Sequence, residues 1–175
     1  MKKMKFFLTS GAFSILASGM LLFSGCGQKL ATSTYTDDKN KASISLSYPE
    51  ESKCTYSTET KDFRTSAEEA ILISDNYKIA WDVVSVGYTG DFDAVKQKAM
   101  ERDEAKEVEY NGVKGVCYYY APYVRYSIAL PVNDKCYIEF HVYSTNEKQD
   151  KEHADKAFSM EEVQNILKTV NIKQL

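Results

Sequence analysis

The stretch from residue 108 to residue 143 contains several runs rich in β-branched and aromatic residues separated by turn residues, which is typical of consecutive strands. Asn111-Gly112 lies within this stretch, and the pair accepts positive φ at both central positions of a type I′ turn. A polar interruption at residues 131–135 separates two more strand-like segments, 123–130 and 136–143. The pattern therefore predicts three or four consecutive antiparallel strands, a meander, at the centre of the fold.

Four shorter segments before the meander also have strand character, because β-branched and aromatic residues recur in them between turn residues. An alternative at residues 66–69 is a short helix opened by a capping box, since Ser66 precedes Glu69 by three positions. The four segments are residues 44–48, 54–60, 70–73 and 77–86.

A surface helix is predicted to begin at Asp91, whose side chain is that of a common N-cap. Lys96, Lys98, Glu101 and Arg102 are expected to face water. The apolar residues that share the opposite face are Phe92, Val95, Ala99 and Met100.

The C-terminal region predicts a second helix and a short final strand. Ser159 and Glu162 have the spacing of a capping box, and the strand is expected at residues 169–172. Residues 146–156 are rich in charge and lack apolar spacing, which predicts a solvated loop or a ragged helix. The apolar stripe of the second helix consists of Met160, Val163, Ile166 and Leu167.

The N-terminus has the layout of a signal peptide: three lysines, an uncharged stretch from residue 6 to residue 23, and small residues before Cys26. The tetrapeptide Phe23-Ser24-Gly25-Cys26 resembles the lipobox of bacterial lipoproteins. The resemblance implies cleavage after residue 25 and a diacylglyceryl group on the Cys26 thiol. Two acyl chains would hold the protein on the cell membrane, facing outside the cytoplasm.

An uncleaved membrane helix is the alternative interpretation of this segment. Its 18 uncharged residues approach the ~20 that span a bilayer. Small and hydroxyl residues dilute the apolar character of the stretch, which favours a cleaved signal. These residues are Thr9, Ser10, Gly11, Ser14, Ser18 and Gly19.

The chain is therefore predicted to have three parts: a signal peptide (1–25), a lipidated cysteine with a flexible tether (26–41) and one α+β domain (42–175). Residues 27–41 are small and polar without apolar periodicity, and a flexible tether of that length spans about 20 Å root-mean-square. Loss of the first three lysines would change the net charge from −3 to about −6. An acidic domain of this kind makes nucleic acid an unlikely partner.

The order of strands and helices between residues 42 and 172 resembles the PsbP-like family. Three segments carry the resemblance: Ile44-Ser45-Leu46-Ser47-Tyr48-Pro49, Glu109-Tyr110-Asn111-Gly112-Val113-Lys114-Gly115, and Ile166-Leu167-Lys168-Thr169-Val170-Asn171-Ile172. The resemblance implies an α/β/α sandwich around a twisted antiparallel sheet. It also implies, more loosely, a protein that binds or assists assembly rather than one that catalyses.

The cysteines predict no catalytic or metal site. With Cys26 lipidated, Cys54, Cys117 and Cys136 remain, and an odd number cannot form a closed set of disulfides. Strand parity places Cys117 and Cys136 with apolar neighbours, so that we expect small buried hydrophobic residues. One disulfide among the three thiols, or a metal or redox role, remains the alternative.

The histidines and carboxylates likewise predict no catalysis, metal or cofactor. His141 and His153 have no Glu at metalloprotease spacing, and no Gly-x-Ser-x-Gly turn or phosphate-binding glycine loop is present. Alternation places His141 on the polar side of its strand, where an exposed side chain is expected. Asp91 and Asp93 lack the remaining ligands of an EF-hand, and helix capping explains them more simply.

Tyrosine is unusually frequent in this chain: it has 13 tyrosines, and many of them lie in the meander. Adjacent strands could bring several rings onto one face, where tyrosine offers both contact area and a hydroxyl. Packing under a helix is the alternative. The candidate binding residues are Tyr118, Tyr120, Tyr126 and Tyr137.

Together these patterns favour a non-enzymatic binding or assembly module of the cell envelope. Its expected partners are the membrane, through the lipid, and an envelope protein or a small ligand. The alternatives are an envelope enzyme with an unrecognised active site and a small solute-binding lipoprotein.

Overall fold

The computed structural model describes residues 29–38, 40–59, 67–87 and 90–175. Cys26 and the predicted signal peptide lie outside the described residues. The strands are β1 (Leu30–Asp37), β2 (Ala42–Pro49), β3 (Lys53–Glu59), β4 (Ala67–Ile73), β5 (Tyr77–Ser85), β6 (Asp103–Tyr110), β7 (Val113–Tyr120), β8 (Arg125–Asn133), β9 (Cys136–Ser144) and β10 (Asn171–Gln174); the helices are α1 (Phe92–Ala99), α2 (Lys151–Ser159) and α3 (Glu161–Lys168).

Seven strands form one antiparallel sheet in the order β3-β4-β5-β9-β8-β7-β6. The predicted meander is confirmed as β6 to β9. Its first hairpin turns at Asn111 and Gly112, whose φ angles of 49° and 80° are the positive values that this turn requires. The α+β class, with a mainly antiparallel sheet, is therefore confirmed.

Most of the core lies on one side of this sheet, here called the inner face. Trp81 pairs with Phe140, and Phe140 pairs with Ile128, so three fully buried side chains lie side by side across neighbouring strands. Helices α2 and α3 cover the inner face and contribute Phe158 and Val163 to the same apolar cluster. The opposite side, here called the outer face, carries helix α1.

A second sheet of three strands, in the order β1-β2-β10, packs against this core. The predicted tether over residues 26–41 is therefore wrong for its larger part, because Leu30 to Asp37 pairs with β2 along its whole length. The segment forms a strand because threonine favours strands and because Tyr35 on its inward side is buried in the core. The folded domain begins at Leu30 rather than at residue 42.

The alternative of a short helix at residues 66–69 is also wrong, because β4 begins at Ala67 and pairs with both β3 and β5. In contrast, the predicted helix at Asp91 is confirmed. The Asp91 carboxylate accepts a hydrogen bond of 2.9 Å from the backbone N–H of Ala94, and α1 ends at Ala99. Capping thus accounts for this carboxylate.

The predicted loop or ragged helix at residues 146–156 contains most of a regular helix, α2. Asp150 caps it, and its buried side is made of Ala154, Ala157 and Phe158. Two alanines supply little of the hydrophobic contrast on which a periodicity argument depends. The apolar residues of this helix therefore escaped detection.

The buried stripe of α3 is confirmed at Val163, Ile166 and Leu167, but the capping box that was predicted to open the helix is wrong. Ser159 ends α2, and its hydroxyl donates to the carbonyl of Lys156. Glu162 instead accepts a hydrogen bond from the hydroxyl of Tyr77.

Candidate functional site

Three of the four predicted binding tyrosines lie on the outer face. Tyr118 and Tyr120 on β7 pair with Ser127 and Arg125 on β8. The ring of Tyr137 contacts the ring of Phe92 in α1, with 5.9 Å between the ring centroids. All three side chains are partly exposed. The structure thus brings Tyr118, Tyr120 and Tyr137 to one side of the sheet.

Tyr126, the fourth, lies on the inner face. Its ring stacks on Phe158 with 4.3 Å between centroids, and only 5% of the residue is exposed. Its hydroxyl donates to Glu104 and to Asp155, which joins the start of β6 to α2. Tyr126 is therefore a core residue of the opposite face, because adjacent positions on a strand alternate sides and Tyr126 pairs with Tyr119 rather than with Tyr118.

A cleft of about 180 Å³ separates α1 from the meander on the outer face. Tyr118 and Tyr137 line it from the sheet, and Lys98 and Arg102 line it from the C-terminal end of the helix. The remaining lining is apolar apart from one carboxylate, and consists of Val95, Ala99, Ala129 and Glu139. We call this the α1 cleft.

The carboxylate in the α1 cleft accepts a hydrogen bond from another strand of the sheet. Oε1 of Glu139 accepts a hydrogen bond of 2.7 Å from the hydroxyl of Tyr118. Burial, followed by the charge of Glu139, raises the pKa of Tyr118 well above its ordinary value, so this hydroxyl remains a donor at any physiological pH. Tyr118 and Glu139 therefore form a fixed polar pair in an otherwise mainly apolar wall.

Beside the cleft, two arginines approach one tyrosine ring. The guanidinium carbons of Arg102 and Arg125 lie 5.3 and 5.5 Å from the ring centroid of Tyr120. Arg125 also lies 5.0 Å from the ring of Tyr123 and 5.5 Å from that of Tyr143. Cation–π attraction of this kind orders the guanidinium groups without neutralising their charge. We call these five residues the Tyr120 patch.

His141 is buried, so the prediction of an exposed strand histidine is wrong: the residue is 4% exposed. Its Nδ1 lies 3.1 Å from the hydroxyl of Ser127 on the neighbouring strand, and its Nε2 lies 4.0 Å from Asp82 and 3.9 Å from Glu139. Alternation correctly assigned the face, but neighbouring large side chains shield this position from solvent.

The serine, histidine and aspartate of this cluster are the residue types of a hydrolytic triad. Ser127, however, is 0% exposed, so its hydroxyl has no access to a substrate carbonyl in this structure. What the arrangement does chemically is pair the buried hydroxyl of Ser127 with the buried imidazole of His141 and place two carboxylates near the other ring nitrogen. It therefore fits a structural role beneath the outer face.

The three cysteines among the described residues are free, and the expected burial of Cys117 and Cys136 is confirmed. Cys117 and Cys136 are fully buried, and burial raises the pKa of both thiols, that of Cys117 to about 12. Within the described part of the chain no three His, Cys, Asp or Glu side chains lie together in a way that could hold a metal ion. His153 instead contacts the Asp150 cap of α2 at 2.7 Å.

Sequence reasoning missed the cations of this face. Arg102 was expected to face water, and Arg125 had no assigned role. A signal was available, because antiparallel pairing of β7 with β8 places Arg125 opposite Tyr120 once the turn at residues 121–123 is counted.

Three comparisons with known proteins were negative: the chain matches no protein-family model, no curated protein and no solved structure. Among the described residues, no helix is both long enough and apolar enough to cross a membrane.

Proposed function

We propose that this protein is a lipid-anchored lipoprotein of the cell envelope whose PsbP-like domain binds an envelope protein or a small ligand without catalysing a reaction. The observation that carries the proposal is the convergence of Tyr118, Tyr120 and Tyr137 on one face of the sheet, beside a cleft. Partly exposed tyrosines combine contact area with hydroxyl groups, which is the composition of many recognition surfaces.

The lipid anchor is supported by the lipobox-like tetrapeptide that ends at Cys26. Because β1 begins at Leu30, only residues 27–29 separate the proposed lipidated cysteine from folded structure. Three residues and their flanking bonds reach at most about 14 Å. The domain would then lie directly against the lipid headgroups, and not at the distance that a longer tether would allow.

The PsbP-like assignment is supported by the arrangement of layers. Helix α1 lies on the outer face of the large antiparallel sheet, and α2 lies on the inner face. This is the helix, sheet and helix order that the family resemblance implies.

Binding is favoured over catalysis by the accessibility of the groups concerned. The potential nucleophile Ser127 is fully buried, whereas the rings of Tyr118, Tyr120 and Tyr137 reach the surface. A binding role uses the groups that a partner can reach.

The binding part of the proposal is tested by cross-linking the full chain in the membranes of its source cells and quantifying captured partners by mass spectrometry. The chain with Tyr118→Ala, Tyr120→Ala and Tyr137→Ala is expected to lose capture by at least about 10-fold, which is the size of a hot-spot effect. Tyr126→Phe, on the opposite face, serves as the matched control and should behave as wild type. Equal capture by all three proteins would contradict the proposal.

A further inference from the structure

Arg102 and Arg125 have no anionic partner among the described residues. Lys148 shows the contrast, because its ammonium group forms an ion pair with Asp150 at 3.0 Å. Within the part of the chain that the structure describes, the guanidinium of Arg102 contacts the Tyr120 ring, and Arg125 donates one hydrogen bond, from Nη1 to the hydroxyl of Tyr143. Two guanidinium groups next to one ring thus keep most of their hydrogen-bonding capacity.

Arg125 is also held in place before any ligand arrives. Its Nε is buried and has no hydrogen-bond partner among the described residues. The rings of Tyr120, Tyr123 and Tyr143 surround its guanidinium group. A cation fixed in this way loses little entropy when it binds an anion, which is the condition for pre-organised recognition.

The α1 cleft adjoins the Tyr120 patch through Arg102. Arg102 belongs both to the lining of the cleft and to the Tyr120 patch, and Lys98 adds a further positive charge on the rim. The volume of about 180 Å³ suits a single ring, since a cavity of about 150 Å³ accommodates benzene. A ring would meet the side chains of Tyr118, Tyr137 and Ala129.

Glu139 determines the orientation of such a ligand. Its carboxylate lines the cleft and would repel a negative charge placed next to it. Because an ionised carboxylate accepts hydrogen bonds and donates none, Glu139 offers no hydrogen bond to an anion. The negative group must therefore lie at the rim, beside Arg102, with the uncharged ring inside.

We propose that the α1 cleft and the adjoining Tyr120 patch form a binding site for a small ligand with an oxyanion attached to an aromatic ring. The oxyanion accepts hydrogen bonds from Arg102 and Arg125, whose planar donor groups match carboxylate or phosphate oxygens. The ring occupies the cleft between α1 and the meander. This inference rests on the proposed binding function and specifies its ligand class.

The test uses the full chain in detergent and phenyl phosphate as the probe, with binding followed by phosphorus NMR for the phosphates and by proton NMR for the ligands that carry a ring. Saturable binding with a Kd of about 1 mM or tighter is expected for a probe of this size. Phenol, which lacks the charge, and inorganic phosphate, which lacks the ring, should each bind at least about 10-fold more weakly. Equal binding of either fragment would overturn the proposed site.

Arg102→Gln is the deciding variant, because this side chain is exposed and its replacement leaves the core intact. It should weaken phenyl phosphate binding about 10-fold, and Arg102→Gln with Arg125→Gln should weaken it further. Lys106→Gln is the matched control, since Lys106 lies over the ring of Phe158 on the inner face. An equal loss in the control would show a diffuse charge effect and overturn the site.

The probe also separates this inference from the proposed function. If phenyl phosphate shows no saturable binding while the triple tyrosine variant still loses its envelope partner, the ligand class is wrong and the binding function stands. If the probe binds as expected but partner capture is unaffected by the tyrosines, the ligand site stands and the protein-binding form of the proposed function is wrong.

Discussion

The hydroxyl of Ser127 lies 3.1 Å from Nδ1 of His141, and both side chains are buried beneath the outer face of the sheet. The pair joins β8 to β9 on the same face as Tyr118, which pairs with Ser127 across β7 and β8. Because both groups are buried, this hydrogen bond stabilises the sheet that carries the proposed binding tyrosines and does not contact a ligand.

Ser127→Ala is expected to lower the free energy of unfolding by about 1 kcal/mol, because His141 loses a buried hydrogen-bond partner. Equilibrium urea denaturation measures the change. Phenyl phosphate binding to this variant should equal that of wild type. A large loss of binding with unchanged stability would show that Ser127 contacts the ligand and would contradict the structural role.

Gly115→Ala is expected to destabilise the domain strongly. A Cβ at this position would lie 2.1 Å from the carbonyl oxygen of Ala129 and 2.6 Å from a methyl group of Leu130, so that the backbones of β7 and β8 must move apart. Overpacking of this kind costs about 1–3 kcal/mol or more. Urea denaturation should show that loss, whereas Lys114→Ala, at the exposed neighbouring position, should stay within about 0.5 kcal/mol of wild type.

Tyr126→Phe is expected to cost about 1 kcal/mol at neutral pH, since the lost hydrogen bonds go to carboxylates that are themselves about half exposed. Burial, and then hydrogen bonds to Glu104 and Asp155, raise the pKa of Tyr126 well above its ordinary value. The folded state therefore favours the neutral phenol. This contribution is complete below pH ~10 and is lost as the pH rises above it.

Denaturation curves between neutral pH and pH ~11 test this pH dependence. The loss of stability with rising pH should be steeper for wild type than for Tyr126→Phe. Tyr123→Phe, at a ring that is 61% exposed, should reproduce the wild-type curve. If the unfolding free energy fell equally steeply with pH in wild type and in Tyr126→Phe, the Tyr126 hydroxyl would make no pH-dependent contribution to stability, which would contradict this prediction.

The thiols are expected to differ in reactivity towards an aromatic disulfide reagent near pH 8. Cys54 is partly exposed and should react first, whereas burial raises the pKa of Cys117 to about 12 and also that of Cys136, which slows both. Denaturation should then release three reactive thiols out of the four cysteines if Cys26 carries lipid. A count of four would contradict lipidation.

The meander could be predicted from residue patterns because its signals are local. Runs of strand-favouring residues and the Asn111-Gly112 turn need no information from distant parts of the chain. By contrast, β1 is a polar segment whose strand character depends on pairing with β2. The buried side of α2 consists largely of alanines, which give little hydrophobic contrast in the sequence. Both elements obtain their stability from tertiary packing, which intrinsic propensity does not report.

The candidate site was predictable only in part, for a similar reason. Strand parity alone separates Tyr118 and Tyr120 from Tyr119, but the face of Tyr126 follows only from its register against β7. The approach of Arg102 from α1 depends on how the helix crosses the sheet, which no local pattern specifies. The tyrosines could thus be named from the sequence, and the cations beside them could not.

Mass spectrometry of the native protein extracted from membranes tests the central claim most directly. Lipoprotein processing predicts a chain that begins at Cys26 and carries the mass of a diacylglyceryl group on that residue. A chain that retains residues 1–25 with an unmodified thiol at Cys26 would contradict the account.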